Sequence, residues 1–119
     1  MNLGKEYLKV VLERFKSVKN LGDKTINQLS EDDIHWKLND ESNSVAVIVK
    51  HLSGNMVSRW SNFLTSDGEK SYRNRDQEFE EIRVSKQELI GIWEKGWDIL
   101  FEALTNLEEQ DLLKNIYIR

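Results

Sequence analysis

The chain contains no proline and only six glycines among its 119 residues. Proline interrupts helices, glycine weakens them, and both supply the turns that an all-β chain needs. Their scarcity therefore favours long, uninterrupted helices. Hydrophobic residues make up 39% and charged residues 32% of the chain, a balance typical of a folded domain rather than a disordered segment. We predict one all-α domain over residues 1–119.

Apolar residues recur at helical spacing in three segments, which predicts three long helices packed as an up-and-down bundle. They are expected over residues 3–29, 44–66 and 86–107. Ser44 is a good N-cap for the second helix, and Gly68 is expected to provide its left-handed C-terminal cap. The sequence "SKQE" is a capping box at the start of the third helix.

One side of the second predicted helix is apolar on a wheel at about 100° per residue, and we expect that side to face the core. It comprises Val45, Ile48, Leu52, Met56 and Phe63. His51, Asn55 and Asn62 form a polar lane along the edge of this apolar side. A histidine at such an edge can reach a cleft between helices while a neighbour holds its other ring nitrogen.

Charge and composition exclude several classes of function. The net charge of −4 and scattered basic residues argue against a nucleic-acid surface. No apolar run approaches the roughly 18 residues needed to cross a bilayer, and the N-terminal residues lack the pattern of a signal peptide. We therefore expect a cytoplasmic protein that binds neither nucleic acid nor membrane. The absence of cysteine excludes disulfides, thiolate metal sites and cysteine nucleophiles.

The connection predicted over residues 67–84 is unusually long for a compact domain, and long loops tend to be functional or disordered. Two interpretations are open: a solvated crossover held by its own ion pairs, or a segment that faces substrate. Arg14 and Arg59 fall near the middle of apolar helix faces, where each could extend its head group to solvent or bind an anion. The last residues, "LLKNIYIR", show a short β-like alternation.

His51 also has two interpretations: a half-buried histidine satisfied by a hydrogen bond, or a metal ligand. One histidine does not make a metal site, because catalytic zinc usually has three protein ligands. His35, the only other histidine, lies in a polar connection, and nothing in its spacing brings it to His51. No HxxxH, HExxH or ExxH pair occurs in the sequence.

Three strings between residues 29 and 81 resemble an uncharacterised bacterial family within the DinB-like, YfiT-like superfamily. They are "ESNSVAVIVKHLSGNM", "SRWSNFLTSDGEK" and "RNRDQEFE". The resemblance implies a four-helix bundle, often dimeric, with a divalent metal at one end of its cleft. His51 matches the second-helix ligand of that family. The other two ligands form an HxxxH pair on a fourth helix, and "DLLKNIYIR" resembles the segment before it, so we expect this chain to lack that helix.

The resemblance implies a metal-dependent hydrolase or thiol transferase that acts on an unknown small molecule. Nickel, zinc or iron would bind at a partial site on His51, with Asn55 beside the ligand as a candidate supporting partner. A homodimer is expected to complete the bundle. The alternative is a non-catalytic helical module that dimerises or binds a partner through its open groove. A third reading is a truncated product of a longer gene.

Overall fold

The computed structural model describes residues 2–81 and 83–119, and the predicted crossover over 67–84 therefore contains one residue, 82, outside the described part. The helices are α1 (Leu3–Gln28), α2 (Val45–Trp60), the single-turn α3 (Arg75–Glu78) and α4 (Lys86–Asn106), with short 3₁₀ helices at Asp33–His35 and Glu109–Leu113. No strand occurs in these two stretches. The all-α prediction is confirmed, and α1 and α4 match the predicted bounds within one residue.

Serine side chains start two of the long helices as expected. The Ser44 hydroxyl accepts a hydrogen bond from the Val47 amide at 3.1 Å. At α4 the Ser85 hydroxyl accepts from the Glu88 amide at 3.0 Å, and the Glu88 carboxylate accepts from the Ser85 amide at 3.4 Å. These contacts satisfy amide groups that have no partner within the helix.

The end of α2 differs from the prediction. The helix stops at Trp60 rather than near residue 66, because the chain turns at Asn62, which has a φ of 49°. Asparagine tolerates this left-handed conformation better than most residues. Gly68 does not provide the cap, since no glycine in the described part has a positive φ. Its amide instead donates to the Tyr117 carbonyl at 2.8 Å.

The helix α4 lies between α1 and α2. It runs antiparallel to α1, because Trp97 contacts Phe15 while Trp93 donates a hydrogen bond to Asp23 further along α1. It runs parallel to α2, because the Ser53 hydroxyl donates to the Ile92 carbonyl, and the end of α2 meets later residues of α4 in one shared cleft. The connection between α2 and α4 must therefore return along the bundle, which explains its length.

The core is one cluster centred on the apolar face of α4. Its buried members are Ile26, Ile34, Ala46, Val49, Met56, Leu89, Trp93, Trp97, Leu100 and Leu104. The side of α2 that joins it is the predicted one only in part: Met56 is buried and Val45 packs against the cluster, but Ile48 is 46% exposed and Leu52 is 41% exposed. Small residues, Ala46 and Ser53, face the core instead. Ser53 lies so close to α4 that a carbon built on Gly96 would be 2.8 Å from its hydroxyl oxygen. Side chains this small add little to an apolar pattern, so apolar content alone did not identify the whole buried side.

A second apolar face of α1 is exposed. It consists of Leu3, Tyr7, Val10, Val18 and Leu21, with Arg14 exposed among them. The helix α1 packs on α4 through its other side, where Phe15 and Ile26 lie. The apolar residues of α1 are therefore divided between a packed side and an exposed side.

The last residues form no strand but are tied to the start of the crossover. The Arg119 guanidinium lies 3.0 Å from the Asp67 carboxylate and also donates to the Glu69 carbonyl at 2.7 Å. Across the described ranges, no helix is both long and apolar enough to cross a membrane.

Candidate functional site

His51 lies in the middle of α2 with its side chain 31% exposed. Its Nδ1 atom is 3.1 Å from Oε1 of Glu78. Its ring also packs against Phe79, with ring centroids 4.8 Å apart and the planes inclined by 34°. Both partners come from the crossover, at the end of α3. The crossover therefore folds directly over the predicted ligand.

The carboxylate of Glu78 is held from its other side by Arg73. Arg73 donates from Nε to Oε2 at 3.1 Å and from Nη2 to Oε1 at 3.2 Å. The side chains of Arg73 and Glu78 are only 2% and 10% exposed. Paired guanidinium–carboxylate hydrogen bonds of this kind fix orientation as well as charge. Arg73 therefore fixes the orientation of the carboxylate that contacts His51.

The ion pairs continue away from His51. Nη1 of Arg73 is 3.7 Å from the Glu69 carboxylate, which lies 3.1 Å from Arg59. Arg59, which the wheel placed in an apolar face, thus forms an ion pair with the crossover. The crossover does carry its own ion pairs, as one interpretation expected, but two of its charged side chains are buried rather than solvated.

The residues around Glu78 explain how the crossover places this carboxylate beside α2. The side chain of Asn74 accepts a hydrogen bond from the Gln77 amide at 3.1 Å and caps the single turn of α3. Beyond Glu78, Lys50 donates to the Glu80 carbonyl, and Glu81 accepts from the Ser44 hydroxyl at 3.2 Å. The residues that follow Glu78 are thus tied to α2 and to its N-cap residue.

The Nε2 atom of His51 makes no hydrogen bond within residues 2–81 and 83–119. A carboxylate that accepts from Nδ1–H leaves the lone pair of Nε2 available to a metal or a proton. Asn55, one turn further along α2, is half-buried and forms no hydrogen bond to His51 in the same ranges. Its supporting role stays a prediction. Asn62 lies beyond the end of α2, in the turn.

The other histidine serves a different part of the fold. Nε2 of His35 lies 2.8 Å from the Val84 carbonyl and 3.3 Å from the Val84 amide nitrogen, and it fastens the connection before α4. No group of three or more histidine, aspartate or glutamate side chains is placed to hold a metal ion in the part of the chain that the structure describes. These residues therefore offer one histidine ligand rather than a complete three-ligand centre.

A cleft of about 410 Å³ lies between α2, α4 and the crossover. Gly54 and Glu78 line it, together with Lys50 and Lys95. Its size falls within the roughly 300–1,000 Å³ of small-molecule sites. The carboxylate that contacts His51 therefore also borders a space large enough for a small ligand.

Sequence reasoning did not identify Glu78 and Arg73 as partners of His51. A usable signal was present in Asn74 followed by Gln77, since an N-cap residue with glutamine three positions later is typical of a helix start. That signal predicts the turn of α3. The meeting of this turn with His51 depends on the return path of the crossover, which spacing does not reveal.

Comparison with known proteins identifies a match to one family, whose function is unknown. The family model described as "Protein of unknown function (DUF1572)" matches residues 2–119. No curated protein matches the chain, and no solved structure matches it either. Since the match spans nearly all of the sequence, the chain belongs to the DUF1572 family.

Proposed function

We propose that this chain is a DinB-like helical protein in which His51 supplies one ligand to a divalent transition metal. The remaining ligands come from groups outside the described residues: water, a small molecule or another chain. The observation that carries the proposal is the pairing of His51 Nδ1 with a fixed carboxylate, which leaves Nε2 open. The family strings around His51 support the same role.

The geometry suits a metal ligand for a physical reason. A ligating histidine usually donates its second N–H to a carboxylate or carbonyl, which sets the tautomer, orients the ring and raises the basicity of the ligating nitrogen. Glu78 is placed to do this for His51. Because Arg73 occupies both of its oxygens, we assign Glu78 the orienting role rather than that of a ligand.

The described residues do not fit a complete metal centre, because no group of three suitable side chains is found among them. Imidazole suits nickel, zinc and iron alike, so His51 does not select the metal. We assign hydrolysis or thiol transfer only to an assembly in which the missing ligands are supplied.

Isothermal titration of untagged protein with Zn²⁺ and with Ni²⁺ tests the proposal, and the two histidines of the chain provide a matched pair of variants. We expect the wild type and His35→Gln to bind alike, and His51→Gln to bind at least tenfold more weakly. Circular dichroism checks that both variants stay helical. Equal binding by His51→Gln, or no binding by the wild type, would contradict the proposal.

A second candidate, a non-catalytic module that pairs with another copy, is favoured by the open face of α1. Leu3, Tyr7 and Val10 are exposed at spacings of four and three residues, and Val18 and Leu21 are exposed three residues apart further along the helix, a pattern found in helices that pack on one another. Light scattering at tens of micromolar tests it. A dimer that Val10→Glu converts to monomer supports this function, whereas a wild-type monomer rules it out.

A further inference from the structure

We infer that Gly54 is the positioning residue that admits the Glu78 carboxylate to His51. Gly54 lies in the interior of α2, three residues after His51. A methyl group built there would place its carbon 2.0 Å from Oε2 and 2.5 Å from Cδ of Glu78. The carboxylate therefore occupies the space that any side chain at position 54 would need.

The carboxylate has little freedom to move aside. Arg73 holds both of its oxygens and His51 contacts one of them, and the side chain is nine-tenths buried. The three atoms nearest to the built carbon all belong to Glu78. A side chain at position 54 must therefore displace this group before it displaces anything else.

Gly91 shows that a glycine can lie inside a helix of this protein without any neighbour that requires it. Gly91 also lies inside a long helix, but a carbon built there meets no atom within 4 Å. Neither glycine has a positive φ, so backbone conformation requires neither. Glycine in a helix interior is unfavourable relative to alanine. Of these two glycines, only Gly54 has a contact that excludes a larger residue.

A double-mutant cycle with alanine gives the sharpest test. Gly91→Ala should raise the melting temperature, because alanine favours the helix. Gly54→Ala should lower it in the wild type but raise it in the Glu78→Ala background, where the obstructing carboxylate is gone. The same effect of Gly54→Ala in both backgrounds would overturn the inference. If Gly54→Ala alone does not fold, the comparison of Glu78→Ala with and without Gly54→Ala still tests the inference, because the second change is expected to raise the melting temperature in that background.

The tautomer of His51, read from long-range ¹H–¹⁵N NMR spectra at neutral pH, reports a change that helix stability alone would not produce. We expect the wild type and Gly91→Ala to show Nδ1–H, and Gly54→Ala to lose that preference along with its carboxylate partner. An unchanged His51 tautomer in folded Gly54→Ala would contradict the positioning role.

One further expectation, on metal affinity, rests on the proposed function. If His51 binds a metal, Gly54→Ala should weaken that binding by about 10- to 100-fold, as loss of a carboxylate partner does. Neither the melting experiment nor the tautomer needs a metal. Suppose that Gly54→Ala lowers the melting temperature of the wild type and raises that of Glu78→Ala, while the wild type binds no metal. That result would refute the proposed function and leave the role of Gly54 intact.

Discussion

Two buried regions of the molecule are built on different principles. Around α4, Trp93 and Trp97 are almost fully buried by apolar side chains of α1 and α2. Around His51, the side chain of Arg73 is also almost fully buried, but its partners are charged. The first region follows from the apolar faces of long helices. The second depends on one carboxylate that a crossover carries to α2, so it should be more sensitive to single polar changes.

The largest expected effect lies in the α4 core. Trp97→Ala removes a ring that is 5% exposed and contacts Phe15, Trp93 and Phe101, and should reduce the free energy of unfolding by about 3–5 kcal/mol. Trp36→Ala is the control, since Trp36 is 66% exposed, and should change it by less than about 0.5 kcal/mol. Urea unfolding measures both, and similar losses would contradict the assignment of the core.

The next effect tests whether the charged region also supports the fold. Arg73→Ala leaves the Glu78 carboxylate buried beside His51 without its cation, and should cost about 3 kcal/mol, as removal of one partner of a buried pair does. Arg75→Ala changes an exposed arginine two residues away and should have little effect on urea unfolding. If the two variants unfold alike, the buried pair does not stabilise the crossover.

A smaller effect concerns pH and the contact between α1 and α4. Burial opposes ionisation of Asp23, but hydrogen bonds from Trp93 and Lys19 outweigh it and hold the pKa of Asp23 below its usual 3.8. A lowered pKa favours the folded state above about pH 3.8, and this contribution disappears as the pH falls through the folded value. The difference in urea midpoint between wild type and Asp23→Asn should therefore shrink as the pH falls below 3.8. A constant difference would contradict this.

The pKa of Lys19 is shifted in the opposite direction from that of Asp23. Burial would lower its pKa, but hydrogen bonds to Glu94 and Asp23 outweigh burial and raise the pKa of Lys19 above its usual 10.5. Its contribution to stability is therefore complete below pH 10.5 and is lost as the pH rises through the folded value. Urea midpoints of wild type and Lys19→Met should converge in that alkaline range, whereas a gap that persists above it would show that Lys19 acts through packing alone.

The smallest expected effect lies on the open side of α2. Leu52→Ala should change the free energy of unfolding of the monomer by less than about 0.5 kcal/mol, because the side chain is partly exposed. Leu89→Ala, in the core, should cost about 2–5 kcal/mol. A large, concentration-dependent loss in Leu52→Ala would show instead that another chain covers this face.

Much of the helical frame could be predicted from the sequence, because caps and apolar spacing are local. Ser44 and Ser85 marked helix starts correctly, and apolar spacing predicted the bounds of α1 and α4 within one residue. The buried side of α2 could be predicted only in part in this way: Met56 is buried as expected, but Ala46 and Ser53 are also buried and add little to an apolar pattern. The site could be predicted only in part. His51 was identified from its position on α2, whereas the contact of Glu78 with His51 depends on the tertiary path of the crossover.

The crossover lies on His51, and the ring of Phe79 offers the most direct test of that placement. Nuclear Overhauser effects between the imidazole protons of His51 and the ring protons of Phe79 can be measured on the unmodified chain. With ring centroids 4.8 Å apart, we expect strong cross-peaks. If the Phe79 ring shows cross-peaks only to residues of its own segment, the crossover does not cover the histidine and the account of the site is wrong.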